Sequence, residues 1–335
     1  MNNALSKKTF RDKTILVTGC AGFIGWKVSQ LLLEMNKHVI GVDNINDYYD
    51  PALKQWRLKT LKTYPDFSFY RVDISDYKKL KKIFLENKID AVINLAARAG
   101  VRASVEDPWV YLDANTKGTL NLLECCVRNK VKKFVLASTS SLYASENMPF
   151  EETSRTDTPL APYSATKKGA EVLCYAYHYL YKIDVSVLRY FTVYGPAGRP
   201  DMSIFKFIKN IDAGKAIPVF GDGNQTRDFT YIDDIADGTI RALKPVGYEI
   251  FNLGGDHPVK LNYVIDLLGK HLGKKVKVKR LKMHIADVRA TWAHIEKSKK
   301  VLGWQPKTSL EDGVKKTVDW YFENKKMLDK LVWKA

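Results

Sequence analysis

The sequence predicts an α/β fold: a doubly wound, mostly parallel sheet of Rossmann type, followed by a smaller mixed α/β lobe. Three observations predict it. Short β-branched runs alternate with longer amphipathic ones through the first half. A glycine-rich turn directly follows the first run. After Tyr190 the alternation gives way to shorter, mixed elements rich in Gly, Pro and Asp.

The strand candidates are residues 14–17, 39–42, 67–72, 91–95, 134–137 and 185–188. Their near-continuous hydrophobicity suits parallel strands covered on both faces. Helical patterns lie between them at 23–36, 78–87 and 116–129. Strand, helix, strand, repeated, is the signature of a doubly wound sheet. Beyond Tyr190, helices are expected near 203–213 and 232–243, a strand near 249–252, and a basic segment at 276–281. This divides the chain into residues 1–190 and 191–335, with elements exchanged between the two, so a cut in sequence need not be a cut in space.

The chain has 335 residues, 45% hydrophobic and 27% charged, enough for a large core and a second lobe. No stretch is apolar and long enough to span a bilayer. The start, MNNALSKKTFRDK, has neither an apolar core nor a small-residue cleavage site, so a cytoplasmic location is expected. Lys and Arg total 54 against 37 Asp and Glu, a net charge of +17. The lysines are scattered in pairs, and no zinc finger or aromatic RNA motif accompanies them. A solvated basic surface is therefore expected rather than specific nucleic-acid binding. Cys20, Cys125, Cys126 and Cys174 lack metal-ligand spacing; they read as reduced, packed residues, and no metal is expected.

The first strand runs into Thr18-Gly19-Cys20-Ala21-Gly22-Phe23-Ile24-Gly25 and then a helix. Glycines at this spacing permit a tight turn, close approach to a pyrophosphate, and close packing of helix on strand. The helix N-terminus offers N–H groups and a positive dipole end to phosphates. The second strand ends at Asp43-Asn44. An acid there can accept hydrogen bonds from an adenosine ribose and would repel a 2′-phosphate, so NAD is favoured over NADP. Asp73, before Ile74, ends the third strand and could meet the adenine.

The segment STSSLY (138–143) sets a row of hydroxyls where a hydrophobic strand stops. Open α/β sheets place ligands at such carboxyl ends; a plain turn is the bland alternative. Tyr-x-x-x-Lys, the catalytic signature of the short-chain dehydrogenases/reductases that the glycine turn resembles, occurs three times, at Tyr77, Tyr163 and Tyr321. Only Tyr163-Ser164-Ala165-Thr166-Lys167 follows the STSSLY strand and opens a helix. Residues i and i+4 share a helix face, so Lys167 lies beside Tyr163. Its ammonium is expected to lower the phenol pKa and to reach the nicotinamide ribose, leaving Tyr163 as general acid and base.

The GxxGxxG spacing resembles the extended short-chain dehydrogenases/reductases. That resemblance implies a cofactor side formed by Leu95, Ala96, Ala97, Asn115 and Tyr190, and a proton-sharing hydroxyl at Thr139. Further segments narrow it: Gly41-Val42-Asp43-Asn44 with Asp47-Tyr48-Tyr49-Asp50-Pro51, Ala99-Gly100-Val101-Arg102, Thr192-Val193-Tyr194-Gly195-Pro196 running into Gly198-Arg199-Pro200-Asp201-Met202, and Arg227-Asp228-Phe229-Thr230-Tyr231. Together they resemble UDP-glucuronate 4-epimerases, over residues 12–320. The resemblance implies that Ser140, Ser141 and Thr192 hold the sugar carboxylate, with Arg102, Arg199 and Met202 near the substrate. Arg227 is the first pyrophosphate candidate and Arg289 the second, in competition with His284. Asp287 is implied at the uridine ribose; Lys206 and Phe220 are wall candidates.

Related decarboxylases carry a Glu where Ser141 stands, and dehydratases an Asp-Glu pair. Their absence points to oxidation and re-reduction at one carbon without loss of water or carbon dioxide. The alternatives are another UDP-sugar 4-epimerase, a UDP-glucuronate decarboxylase, or a non-catalytic NAD-binding regulator. The family pairs through two long helices; residues 116–129 and 163–181 are the candidates, so a homodimer is expected.

Overall fold

The computed structural model describes residues 13–144, 147–282 and 288–333. The first half runs β1 (Thr14–Thr18), α1 (Phe23–Glu34), β2 (His38–Asp43), α2 (Pro51–Leu61), β3 (Phe67–Arg71), α3 (Tyr77–Glu86) and β4 (Ala91–Asn94). Short helical turns α4 (Ala103–Glu106) and α5 (Trp109–Tyr111) pass through a π-helical turn, Leu112–Lys117, into α6 (Gly118–Arg128). Then follow β5 (Lys133–Thr139), α7 (Pro162–Tyr181) and β6 (Asp184–Tyr190). Helix α2 was not among the sequence expectations, because its polar composition hides a 3.6-residue stripe. Its start is chemically marked: Asp50 accepts the Ala52 amide at 2.8 Å and Pro51 occupies the first turn.

The strands form one seven-stranded sheet in the order β10-β6-β5-β4-β1-β2-β3, every neighbouring pair parallel. The chain winds outward from β1 to β3, then restarts at β4 on the other side of β1. This reversal opens a crevice at the carboxyl ends of β1 and β4. Successive strand residues face opposite layers. Leu16, Ile40, Val92 and Phe134 pack against Leu80, Leu122 and Cys174 on one face. Ile15, Val17, Ile93 and Val135 pack against Trp26, Leu32 and Ile235 on the other.

The remaining elements are β7 (Thr192–Tyr194), α8 (Ser203–Asp212), β8 (Ile217–Phe220), β9 (Thr226–Tyr231), α9 (Ile232–Arg241), β10 (Tyr248–Leu253), β11 (Pro258–Lys260), α10 (Leu261–Leu272), β12 (Val278–Leu281), α11 (Leu310–Glu323) and α12 (Lys325–Leu328). Two small sheets, β11-β9-β7 and β12-β8, enclose a second core around Ile208, Val219, Tyr231, Leu268 and Val318. Strand β10, grouped by sequence with the second lobe, joins the large sheet beside β6. Hydrophobicity alone marks a strand but not its neighbour; the preceding α9 packs on α1 and carries the chain back to the first sheet.

Candidate active site

The site is built at the switch point between β1 and β4. Thr18, the last residue of β1, donates to Asn94 Oδ1 at 2.7 Å and accepts the amides of Leu95 and Ala96 at 3.1 Å. This pins the start of the β4 loop against the glycine turn. Gly19 has φ +67°, and a Cβ there would lie 2.8 Å from the Ala96 amide nitrogen. A Cβ on Gly25 would lie 2.1 Å from the Gly19 carbonyl oxygen. The turn therefore tolerates no side chain at either position and presents bare backbone below the first turn of α1. Gly22 precedes α1 and no side chain caps it, which leaves helix N–H groups for an anion.

A cleft of about 220 Å³, open to solvent at its mouth, runs across this turn. Gly19, Gly22, Phe23, Ile24, Gly25, Asp43, Asn44, Asp73, Ile74, Leu95, Ala96, Ala97, Tyr163, Lys167 and Tyr190 all line it. At one end, Asp43 accepts the Ala21 amide at 3.1 Å and the Ile45 amide at 2.8 Å. Asn44 donates to Asp73 at 2.7 Å. Partial burial works against the Asp73 charge, but hydrogen bonds from the Ser75 amide and hydroxyl and from Asn44 outweigh it and hold the carboxyl below the usual range. Two carboxylates at the ends of β2 and β3, above a bare glycine turn, suit the adenosine and pyrophosphate of a dinucleotide.

At the other end, Lys167 is 4% exposed and donates to the Ala137 carbonyl at 2.9 Å. Burial pulls its ammonium down to about 8, with Glu171 opposing. Tyr163 stands in the first turn of α7, edge-on to Tyr111 with ring centroids 6.1 Å apart. Burial raises its phenol pKa; a hydrogen bond with Thr139 and the charge of Arg199 oppose the rise. The Lys167 ammonium is turned to the β5 backbone.

Behind this end lies a buried network. Ser138 donates to Glu171 at 2.6 Å, and Arg189 binds both Glu171 oxygens at 3.0 and 2.9 Å. Arg189 also donates to Tyr143 at 3.0 Å, and Tyr143 donates to Asn252 at 2.6 Å. Buried Asn115 accepts the Arg98 amide at 2.9 Å and donates to Thr166 at 3.0 Å, tying the β4 loop to α7.

Thr192 and Met202 line a second, much smaller cavity, which shares Phe23 and Arg199 with the cleft. Arg199 is held by Asp201, with nitrogen–oxygen distances of 3.0 and 2.5 Å. Ser140 and Ser141 form the turn after β5, where Thr139 Oγ1 accepts the Ser141 amide at 3.2 Å. Neither serine lines the two cavities. Arg102 stacks on Phe220, 3.7 Å from the ring centre. Arg227 donates to the carbonyls of Thr226 and Val288 at 2.8 and 2.7 Å, and Arg289 is exposed. None of these three arginines lines either cavity. His284 and Asp287 lie outside the described residues.

Sequence reasoning missed Lys54, Tyr48, Arg98 and Ser138, all in the cleft wall. Lys54 donates to Asn46 at 2.8 Å; burial pulls its ammonium to about 8, with Asp43 opposing. Arg98 stacks on Tyr48 at 4.0 Å. In a chain this rich in lysine and arginine, no local signal separates these cations from surface ones. Ser138 was legible, as the first hydroxyl of STSSLY.

A parallel sheet with a glycine turn at its switch point and a Tyr-x-x-x-Lys pair facing it defines a dinucleotide-dependent enzyme of the short-chain type. The chain belongs to the NAD dependent epimerase/dehydratase family, which it matches over residues 15–254. It is 61% identical to a UDP-glucuronate 4-epimerase of Thermodesulfobacterium geofontis, over 92% of this chain and 96% of that protein. A crystal structure of UDP-glucuronic acid 4-epimerase from Bacillus cereus, in complex with UDP-glucuronic acid and NAD, is 39% identical. It superposes with a TM-score of 0.88, covering 92% of this chain and 99% of that one. The UDP-glucose 4-epimerase of Thermotoga maritima, solved with UDP-glucose, is 32% identical, with a TM-score of 0.86 over 93% of this chain and 99% of that one.

Proposed function

We propose that the protein is an NAD-dependent isomerase that interconverts UDP-glucuronate and UDP-galacturonate by inverting C4. The observation that carries this reading is the juxtaposition of Tyr163 and Lys167 with the glycine turn in one cleft, with Thr139 hydrogen-bonded to Tyr163 and, among the described residues, no carboxylate lining that end. The acids lining the cleft are Asp43 and Asp73, at its adenosine end. Glu171, an acid behind β5, is committed to Arg189 and Ser138. A dehydratase or decarboxylase needs an additional acid or base at the sugar; among the described residues no further carboxylate lines this end.

Residues 1–190, with β10, would form the NAD-binding part, and residues 191–335 the UDP-sugar lobe. Gly19, Gly22 and the start of α1 would hold the dinucleotide phosphates; Asp43, Asn44 and Asp73 its adenosine; Lys167, Tyr190 and the 95–97 loop the nicotinamide side. Bound NAD supplies a reversible hydride acceptor for C4. Tyr163 Oη takes the C4 hydroxyl proton and later returns it, with Thr139 sharing the hydrogen bond. Ser140, Ser141 and Thr192 would hold the C5 carboxylate through neutral hydrogen bonds. A 4-keto uronic acid is a β-keto acid prone to lose carbon dioxide; hydroxyls can hold its carboxylate in an orientation poor for C–C cleavage. They also let go readily when the sugar turns its other face.

A homodimer is proposed through α6 and α7. Val172, Tyr175 and Tyr179 on α7 are 57%, 55% and 65% exposed, and Trp109 nearby is 74% exposed. Apolar exposure of this extent on one face suits a second copy; light scattering of a monomer would reject it. Among the described residues no helix is long and apolar enough to cross a membrane, and a cytoplasmic site of action is proposed.

The test is incubation with UDP-glucuronate, with products resolved by NMR. UDP-galacturonate should form without UDP-pentose, and UDP-glucose should turn over far more slowly. Tyr163→Phe should lose about 10²–10⁴-fold in turnover while retaining NAD. Release of UDP-pentose, or near-normal activity of Tyr163→Phe, would refute this reading.

A further inference from the structure

Arg57 of α2 is fully buried, at 0% exposure. Its Nη1 donates to the Ala21 carbonyl at 3.1 Å and to the Tyr49 hydroxyl at 2.7 Å. Its Nε and Nη2 reach the Ala197 carbonyl at 3.2 and 2.6 Å, and Nη2 also reaches Gly198 at 3.2 Å. Every one of these acceptors is a neutral oxygen. A buried guanidinium without a carboxylate is costly, and survives only where carbonyl dipoles surround it.

The two backbone segments it grips are far apart in sequence and belong to different parts of the site. Ala21 lies inside the glycine turn, between Gly19 and Gly25. Ala197 and Gly198 lead directly into Arg199, which lines both cavities. Ala197 is an awkward residue for its place: it is buried, with φ +54°, in the left-handed region that favours glycine. Gly198 has no room either, since a Cβ would meet the Phe205 ring at 2.9 Å. The turn that presents Arg199 is thus held in a disfavoured shape, and Arg57 grips both its carbonyls.

We propose that Arg57 is a positioning residue that couples the two halves of the site, so that dinucleotide and sugar nucleotide bind cooperatively. The guanidinium is a rigid planar fork. Ordering the glycine turn by the cofactor fixes one side of the fork; the other side then fixes the 197–198 turn and the direction of Arg199. Binding at either end thereby removes part of the ordering cost at the other, and the coupling must be reciprocal. This rests on the UDP-sugar reading above.

The experiment measures NAD affinity of the full-length protein with and without saturating UDP, an unreactive probe, and UDP affinity with and without NAD. In the parent, each should tighten the other by the same factor, about fivefold or more. In Arg57→Lys, which keeps the charge and loses the fork, the factor should fall towards one. A purely structural role predicts weaker binding of both ligands with the factor intact, and that result overturns the proposal, as does a parent with no coupling. Should Arg57→Lys fail to fold, Ala197→Gly serves: glycine accepts the same φ, so the fold should hold while the turn loosens and the factor falls. An unchanged factor there overturns the proposal. A parent that couples NAD to UDP yet leaves UDP-glucuronate unaltered supports the coupling and rejects the epimerase reading.

Discussion

Lys167 should make the protein less stable than it would be without it, and replacing it with methionine tests this. Burial takes its ammonium from the ordinary 10.5 to about 8. At about 1.4 kcal/mol per pH unit, folding at neutral pH carries a penalty on the order of 3 kcal/mol. Lys167→Met removes that penalty and keeps much of the stem volume. It also leaves the Ala137 carbonyl without its donor, which costs about 1 kcal/mol. The net gain at pH 7 is roughly 2 kcal/mol, or about 3 °C in Tm for a chain of this length. The sign follows from proton counting. Between about 8 and 10.5 the unfolded chain still holds the proton that the folded chain has released, so parent stability rises with pH across that window. The advantage of the variant is therefore full below about 8 and gone by about 10.5, where the missing hydrogen bond reverses it. Urea unfolding of dinucleotide-stripped protein at pH 7 and pH 10.5 measures both limits. A variant less stable than the parent at pH 7, or a difference independent of pH, would refute the reasoning. Turnover should be lost throughout, which marks the residue as kept for function at a cost in stability.

Glu171→Gln should lower Tm by about 4–7 °C, because breaking the buried pair with Arg189 costs about 3–5 kcal/mol. It should also move the alkaline limb of kcat/KM to lower pH, since the carboxylate opposes deprotonation of Lys167; an unmoved limb argues against that coupling. Gly25→Ala should purify without dinucleotide, as read by its ultraviolet spectrum, because the new methyl would sit 2.1 Å from the Gly19 oxygen; full retention contradicts the cradle. Thr192→Val should raise KM for UDP-glucuronate by about tenfold, the worth of one hydrogen bond to a charged group, with NAD retention unchanged; an unaltered KM removes Thr192 from carboxylate binding.

Local chemistry made part of this molecule legible. The strands 14–17 and 39–42 were readable because both sheet faces are covered, which demands unbroken apolar runs. The glycine turn was readable because backbone contacts at 2.1 and 2.8 Å admit no side chain. The choice of Tyr163 over Tyr77 and Tyr321 followed from its place after the STSSLY strand, and the structure sets Tyr163 and Lys167 in the cleft. Helix α2 escaped notice, and with it Lys54 and Arg57, because its one buried face is broken by basic residues.

The amino-acid order by itself determined the alternation of elements, the glycine turn and the Tyr163–Lys167 pair that lines the cleft, since each is set by spacing along a few residues. Tertiary structure alone decided three other matters. Strand β10 joins the large sheet, the Lys167 ammonium turns to the Ala137 carbonyl, and Arg57 bridges the turns at Ala21 and Ala197, which lie far apart in sequence. The physical reason is common to them. Pairing between distant strands, the direction of a charge, and the cost of burying it depend on which segments meet in space, and no local pattern encodes that meeting.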